Sequence, residues 1–374
     1  MKQINISQVS TFFANGSYPI EFLFYFPYRI NSNRLRRALK RISAYYWPVF
    51  GRYNKGIITG KTYSESEYIE EILVDESFDP SVGHEIIYKK FGTMNLELTS
   101  LLFHLKVLHY KNGTVLIPKM NHLVGDGYSY FYLLSVLAAV TKRGGVPLAP
   151  AIITAISKPK IHCDLHSSFH FSISPPDVIT FDGKIDVEYL ELDVTETRNQ
   201  AKSISEKSGL RVSTNDILSA RVVKFVLENG KKKQLENFHL AIPVDVRRGV
   251  PELGQRYFGN GLIMYNVPFD PKIVSQASIE DLAITIRKSF PSVNLQSYVT
   301  YLKQVEGWIE AGQLDLLRPY DPDNECLVTN LTRMPISRLD FGSGPPTTVE
   351  PLTRGRSGAA VLLQDDKFIL RLAR

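Results

Sequence analysis

The stretch Asn121-His122-Leu123-Val124-Gly125-Asp126-Gly127-Tyr128 decides how this chain is read, because the hydrophobic pattern changes period across it. Residues 100–110 read as a strand, Asn112-Gly113 as a tight hairpin turn, and residues 114–121 as a returning strand that ends at His122. From Ser129 the run Tyr130-Phe131-Tyr132-Leu133-Leu134-Ser135-Val136-Leu137 reads as a buried helix. His122 therefore sits where a strand gives way to a glycine-bent turn before a helix, a place where side chains can face a cavity. A proton acceptor and a carboxylate, Asp126, stand four positions apart there. Neutral imidazole, with an ordinary pKa near ~6.5, can take a proton from an alcohol or amine at neutral pH, so His122 is the candidate general base.

The rest of the chain bounds what such a base could serve. With 374 residues, 44% hydrophobic and 22% charged, the composition is that of a globular protein large enough for two domains. A formal charge of +6 is modest, and the basic residues are spread along the chain, which suits an anionic small molecule and does not call for nucleic acid. Arg34, Arg36, Arg37, Lys40 and Arg41 share one predicted helix and Lys231-Lys232-Lys233 follows another; both groups read as solvated faces. The start lacks the apolar core of a signal peptide, and no apolar run reaches the ~20 residues of a membrane span. Cys163 and Cys326 are far apart, so the expected setting is a reducing cytoplasm without disulfides. His162, His166 and His170 recur every four residues in a Ser- and Pro-bordered stretch poor in carboxylates, and no metal is expected there.

Three regions follow from the pattern. Residues 1–143 form a first half, in which Asn33 caps a helix with Leu35, Ala38, Leu39 and Ile42 on one face. Residues 144–183 carry Pro147, Pro150, Pro159, Pro175 and Pro176 and read as a crossover linker. Residues 184–374 form a second half with strands near 185–192, 238–246, 326–332 and 359–363, Asp365-Asp366 as a turn into a terminal strand, and Ser278-Ile279-Glu280-Asp281 as a capping box. Ser213 or Thr214 caps a helix with Leu218, Val222, Phe225 and Val226 on one face. The fold class is α/β, mixed with α+β, with a sheet and flanking helices in each half.

Five motifs, in order, resemble those of the BAHD acyltransferases. Trp47-Pro48-Val49-Phe50-Gly51-Arg52 is similar to the family's Tyr-Pro-Leu-Ala-Gly-Arg. His122, Asp126 and Gly127 match its His-x-x-x-Asp-Gly. Val244-Asp245-Val246-Arg247 and Tyr257-Phe258-Gly259-Asn260 resemble its Val-Asp-x-Arg and Tyr-Phe-Gly-Asn. Asp340-Phe341-Gly342-Ser343-Gly344 approximates its Asp-Phe-Gly-Trp-Gly, with serine in place of tryptophan. Thr329-Asn330-Leu331-Thr332-Arg333 departs from the family's Ser-Trp pattern, and the chain is shorter than plant members, so the resemblance is to a divergent member.

The resemblance implies two chloramphenicol-acetyltransferase-like domains in a monomer, with the active site at their interface. It implies transfer of an acyl group from acyl-CoA to a hydroxyl or amine of a small-molecule acceptor of specialised metabolism, with His122 as base, no covalent enzyme intermediate, no permanently bound cofactor and no metal. Asp126 would look away from the site and pair with Arg247, while Gly127, Asp340 and Gly342 would support the site structurally. Thr329 would supply a hydroxyl to the oxyanion or donor, and Arg333 and Arg338 are candidates for CoA phosphates. Two alternatives stand beside this reading. One is a condensation-type enzyme fed by an acyl carrier protein, against which Asn121 occupies the place of a second histidine. The other is a non-catalytic scaffold of the same fold. The absence of a Gly-x-Ser-x-Gly elbow argues against a hydrolase.

Overall fold

The structure is a computed structural model that describes residues 2–6, 8–14, 19–81, 87, 90–92, 96, 100–145, 172–173, 187–229, 238–254, 256–290, 292–313, 317–320, 324–352 and 357–373. Two compact units divide the chain, and neither is continuous in sequence. The first takes the described residues of Met1–Lys160, Leu253–Gly261 and Met334–Thr353, and the second those of Ile161–Glu252, Leu262–Arg333 and Arg354–Arg374. A second half running unbroken over 184–374 therefore differs from the structure, because two of its segments return to the first unit. Most of the expected linker at 144–183 lies outside the described residues, as do His162, Cys163, His166, His170 and Lys231 to Lys233. Ser172–Ile173 is described and pairs antiparallel with Leu317–Arg318.

The first unit is built on a five-stranded sheet in the order Thr348–Pro351, Ile20–Phe26, Gly113–Met120, Phe103–Tyr110, Ile69–Leu73. All neighbours are antiparallel except the last pair. The three central strands are buried at every residue, and among their apolar side chains they bury Glu21, His104, Lys106, His109, Thr114 and Lys119. On one face lies the helix Gly127–Arg143, whose Phe131 meets Phe22 edge-on at a ring separation of 5.2 Å and Phe24 at 6.1 Å. Such pairs add about 0.5–1.5 kcal/mol each beyond the area they bury. The helix Ser32–Tyr45 packs beside it through the predicted stripe of Leu35, Ala38, Leu39 and Ile42, all buried. Its cap is Asn31, which accepts from the Arg34 N–H at 3.0 Å; Asn33, the cap expected from sequence, lies inside the first turn. Only Asn31 has the extended backbone that a cap requires.

The strand Thr348–Pro351 explains the discontinuity. It pairs with Ile20–Phe26 and satisfies an edge whose side chains are entirely apolar or aromatic apart from Glu21. Left open, that edge would present a row of unpaired backbone groups.

The second unit carries a six-stranded sheet in the order Leu262–Phe269, Phe238–Asp245, Glu325–Asn330, Gly358–Gln364, Lys367–Ala373, Val187–Asp193. Glu325–Asn330 runs parallel to both neighbours, and the remaining pairings are antiparallel. Asp365 and Asp366 turn the last hairpin with φ of 45° and 61°, the left-handed pair that a two-residue turn of this hand needs. Ser278 and Asp281 form the predicted capping box at the start of Ile279–Ser289. The helix Thr214–Asn229 buries Leu218, Val222 and Val226 against the sheet, with Phe225 partly buried beside them.

The first unit's hairpin is one residue out of place in the sequence reading. Tyr110 pairs with Gly113, so Lys111 and Asn112 form the loop, and neither has positive φ. Asn112 instead holds the neighbouring chain: its side chain accepts from the Phe78 N–H at 2.7 Å and donates to the Phe78 carbonyl at 2.9 Å. Gly113 is required by crowding, since a Cβ there would lie 2.2 Å from the Phe26 carbonyl oxygen. Gly113→Ala should accordingly destabilise the fold by about 1–3 kcal/mol in urea denaturation, the cost of overpacking against backbone; an unchanged midpoint would show that this edge yields.

Candidate active site

The turn after Gly113–Met120 is organised around Asp126, which is fully buried. Asp126 has extended backbone and caps the helix Gly127–Arg143: one carboxylate oxygen accepts from the Ser129 N–H at 2.9 Å. The other accepts from the Gly261 N–H, also at 2.9 Å. That second bond reaches a segment more than 130 residues downstream. The Ser129 hydroxyl reinforces it, donating to the Gly259 carbonyl at 2.9 Å and accepting from the Gly259 N–H at 3.0 Å. Asn260 completes the junction by donating from Nδ2 to the His122 carbonyl at 2.7 Å.

Two glycines are needed for this close fit. A Cβ on Gly125 would lie 2.7 Å from the Ser129 Cβ, and Gly259 has φ of +153° with its would-be Cβ 2.7 Å from the Tyr257 hydroxyl oxygen. Gly127, by contrast, faces open space at its Cβ position, so sterics make no demand for glycine there.

His122 is half-buried, and its Nδ1 is buried without a hydrogen-bond partner. Burial pushes its pKa down to about 4; the Asp126 charge and the Asn260 side chain oppose that shift without reversing it. The ring is therefore neutral at physiological pH. Among the described residues Asp126 acts on it as a nearby charge and not as a hydrogen-bond partner.

The Asp340-Phe341-Gly342-Ser343-Gly344 loop is anchored to the other end of the same helix. Asp340 Oδ1 accepts from the Gly342 and Gly344 N–H groups at 2.9 and 3.0 Å, and Oδ2 pairs with Lys142. Lys142 chiefly holds the Asp340 pKa down to about 2. Tyr28 donates to the Gly344 carbonyl at 2.7 Å, and Phe341 meets Phe26 edge-on at 5.4 Å. Gly344 has φ of +123°, whereas Gly342 has neither positive φ nor a crowded Cβ position, so only one of the two glycines is demanded by backbone angle.

The first unit thus brings together His122, Asp126 and Gly127, with Asp340 and Gly342 at the helix's far end. Arg247 and Thr329 belong to the second unit. Arg247 is buried and bonds Asp245 twice, through its N–H at 2.9 Å and its guanidinium at 3.1 Å. Thr329 is half-buried on Glu325–Asn330 opposite Ala360. Its neighbour Asn330 donates to Asn215 Oδ1 at 2.7 Å. Arg333 and Arg338 are exposed. Sequence reasoning passed over Ser129 and Lys142; the one signal for Ser129 was its position three residues after a capping aspartate.

A half-buried, neutral histidine on such a turn, in a chain of two sheet-and-helix units, is compatible with the chloramphenicol-acetyltransferase-like fold. The model described as the Transferase family matches residues 91–369, and the chain belongs to that family, the BAHD acyltransferases. It is an acyltransferase. Its fold is similar to that of TRI101 from F. graminearum in complex with ethyl coenzyme A, with a TM-score of 0.75 at 15% identity, covering 100% of this chain and 94% of that one. Vinorine synthase gives 0.73 at 16%, covering 100% and 90%. The first condensation domain of the CDA synthetase gives 0.64 at 12%, covering 100% and 90%. No curated protein matches by sequence. Among the described residues no helix is long and apolar enough to cross a membrane, and no group of three or more His, Cys, Asp or Glu side chains is placed to hold a metal.

Asp126→Asn leaves one acceptor oxygen but turns an amide NH2 toward a backbone N–H. It should cost about 1–3 kcal/mol of stability in urea denaturation. A variant that melts with wild type would remove the clamp from this account.

Proposed function

We propose that the protein moves an acyl group from an acyl-CoA thioester to a hydroxyl or amine of a small-molecule acceptor, with His122 as general base and no covalent intermediate. The observation that carries this reading is the His122 imidazole at the end of Gly113–Met120, beside the buried Asp126 and with its carbonyl held by Asn260, its pKa pushed down to about 4. His122 removes the acceptor's proton as oxygen or nitrogen bonds to the thioester carbonyl carbon. The tetrahedral intermediate then expels sulfur as the carbon–sulfur bond breaks, and the imidazolium returns the proton to the thiolate. Thiolate is a competent leaving group because thiol pKa values lie near ~8.5, far below those of alcohols. Thr329 is the candidate hydroxyl donor to the oxyanion, a role whose loss typically costs ~10²–10³ in rate.

The structural neighbours support the choice of substrates. TRI101 of F. graminearum forms a complex with coenzyme A and deoxynivalenol, and that of F. sporotrichioides with coenzyme A and T-2. The likeness to a condensation domain keeps a carrier-protein donor as a second reading. Asn121, where those enzymes favour a histidine, weighs against it.

His122→Ala should abolish turnover and leave acyl-CoA binding nearly intact; full rate in that variant would remove the base. The pH dependence has a definite sign. Protonation of His122 inactivates it, so kcat/KM should hold down to about pH 5 and fall below about pH 4. Stability moves in the same direction. The unfolded histidine takes up its proton near 6.5 and the folded one near 4, so the fold loses stability as pH drops through that window. A rate limb at 6.5 would mean a solvated base.

The donor class is tested without knowing the acceptor. Thermal unfolding with CoA and with short, branched, long and aromatic acyl-CoAs should show a chain-dependent rise in melting temperature. A ligand at ~100 times its Kd adds ~2.7 kcal/mol. No shift with any of them would favour the carrier-protein donor or a scaffold.

A further inference from the structure

Asn260 comes from the Tyr257-Phe258-Gly259-Asn260 segment, and nothing above gives it a role in the chemistry. Its side chain nevertheless spans the His122 residue. Nδ2 donates to the His122 carbonyl at 2.7 Å. That bond settles which way the amide faces, because the reverse orientation would set two carbonyl oxygens against each other. The amide oxygen is then the end that bears on the imidazole, and the Asn260 side chain is accordingly one of the two influences that favour a protonated ring.

The imidazole nitrogen in question is Nδ1, buried and without a hydrogen-bond partner. A buried ring nitrogen has two choices. With the proton on Nδ1, a donor faces the amide oxygen; with the proton on Nε2, a lone pair faces another lone pair. Asp126 is the charged group beside the ring, and both its oxygens already accept backbone N–H groups. Bonds of this kind are often long in unliganded sites and tighten when substrate binds.

We propose that Asn260 is a positioning residue: its amide grips the His122 carbonyl and offers its oxygen to Nδ1, which keeps the ring proton on Nδ1 and leaves Nε2 as the basic nitrogen. The inference rests on His122 being the base, but the tautomer can be measured without any turnover. The segment is fastened on both sides of Asn260, since Gly259 and Gly261 are bonded to Ser129 and Asp126. The same oxygen would accept from Nδ1–H of the imidazolium formed during transfer.

The test is nitrogen-15 NMR of the histidine-labelled full-length protein, with the His122 signals identified by their loss in His122→Gln. Wild type should carry its proton on Nδ1. Asn260→Ala should abolish that preference and lower kcat roughly 10- to 100-fold, less than the ~10²–10⁴ that a general base supplies, while KM for acyl-CoA stays within about twofold. Asn260→Asp keeps an acceptor oxygen for Nδ1 but loses the donor to the His122 carbonyl, so it should hold the Nδ1–H tautomer and raise kcat above that of the alanine variant while melting below wild type. An Nε2–H ring in wild type, or an unchanged tautomer in Asn260→Ala, would overturn the assignment. Equal losses of kcat and melting temperature in both variants would reduce Asn260 to a structural bond. If His122→Ala kept its rate, the base would be lost while the tautomer result stood, so the two failures are separable.

Discussion

A buried carboxylate must have its acceptors filled, and the way Asp126 fills them holds the rest of the candidate site in place. One oxygen caps the helix Gly127–Arg143, where the positive end of the helix dipole favours a negative charge. The other takes the Gly261 N–H and so fastens the Leu253–Gly261 segment to the turn. His122 is aimed from both sides as a result, by the strand that delivers it and by the segment that grips its carbonyl. Lys142, in the last turn of that helix, holds the Asp340 loop. Sixteen residues at 1.5 Å each put Lys142 about 24 Å from Asp126 along the helix axis. The glycine-rich loop therefore supports the fold at a distance from the base.

In the reaction proposed above, the low pKa of His122 would have two opposed effects. A nitrogen with a pKa near 4 is always ready to accept a proton at neutral pH, yet it is a weaker base than an exposed imidazole. Its conjugate acid is correspondingly stronger, which favours the return of the proton to a thiolate whose own pKa lies near ~8.5. Burial thus assists the second proton transfer at the expense of the first. Charge developing on the ring in that reaction would be met by Asp126 through space, since a charge inside a poorly solvated turn is felt more strongly than one in water.

Much of this was legible in the sequence because local periodicity and cap chemistry report on local structure. The strand that ends at His122, the stripe of Leu35, Ala38, Leu39 and Ile42, the Ser278 capping box and the Asp365-Asp366 turn all follow from residues within a few positions of one another. The sequence reads Asn33 as the cap of Ser32–Tyr45, but the backbone places the cap at Asn31. The Asn112-Gly113 pair resembled a turn signal, but asparagine was there to hold Phe78 and glycine to admit the Phe26 carbonyl. The return of Leu253–Gly261 and Met334–Thr353 to the first unit was not legible. Thr348–Pro351 is four residues long and ends in proline, and its partner strand lies more than 300 residues away. Pairing at that separation leaves no periodic trace.

That return has a consequence for how the protein is made. Emerging from the ribosome, residues 1–143 contain every α-helix among the described residues of the first unit and four of the five strands of its main sheet, but neither the clamp on His122 nor the strand that closes the Ile20–Phe26 edge. Translation at about 5–20 residues per second leaves that apolar edge open for roughly ten to forty seconds before Thr348–Pro351 appears. During that interval a nascent chain offers a neighbouring one a ready template for strand addition. Access to chaperones during that interval therefore bears on how much of the chain reaches its finished fold.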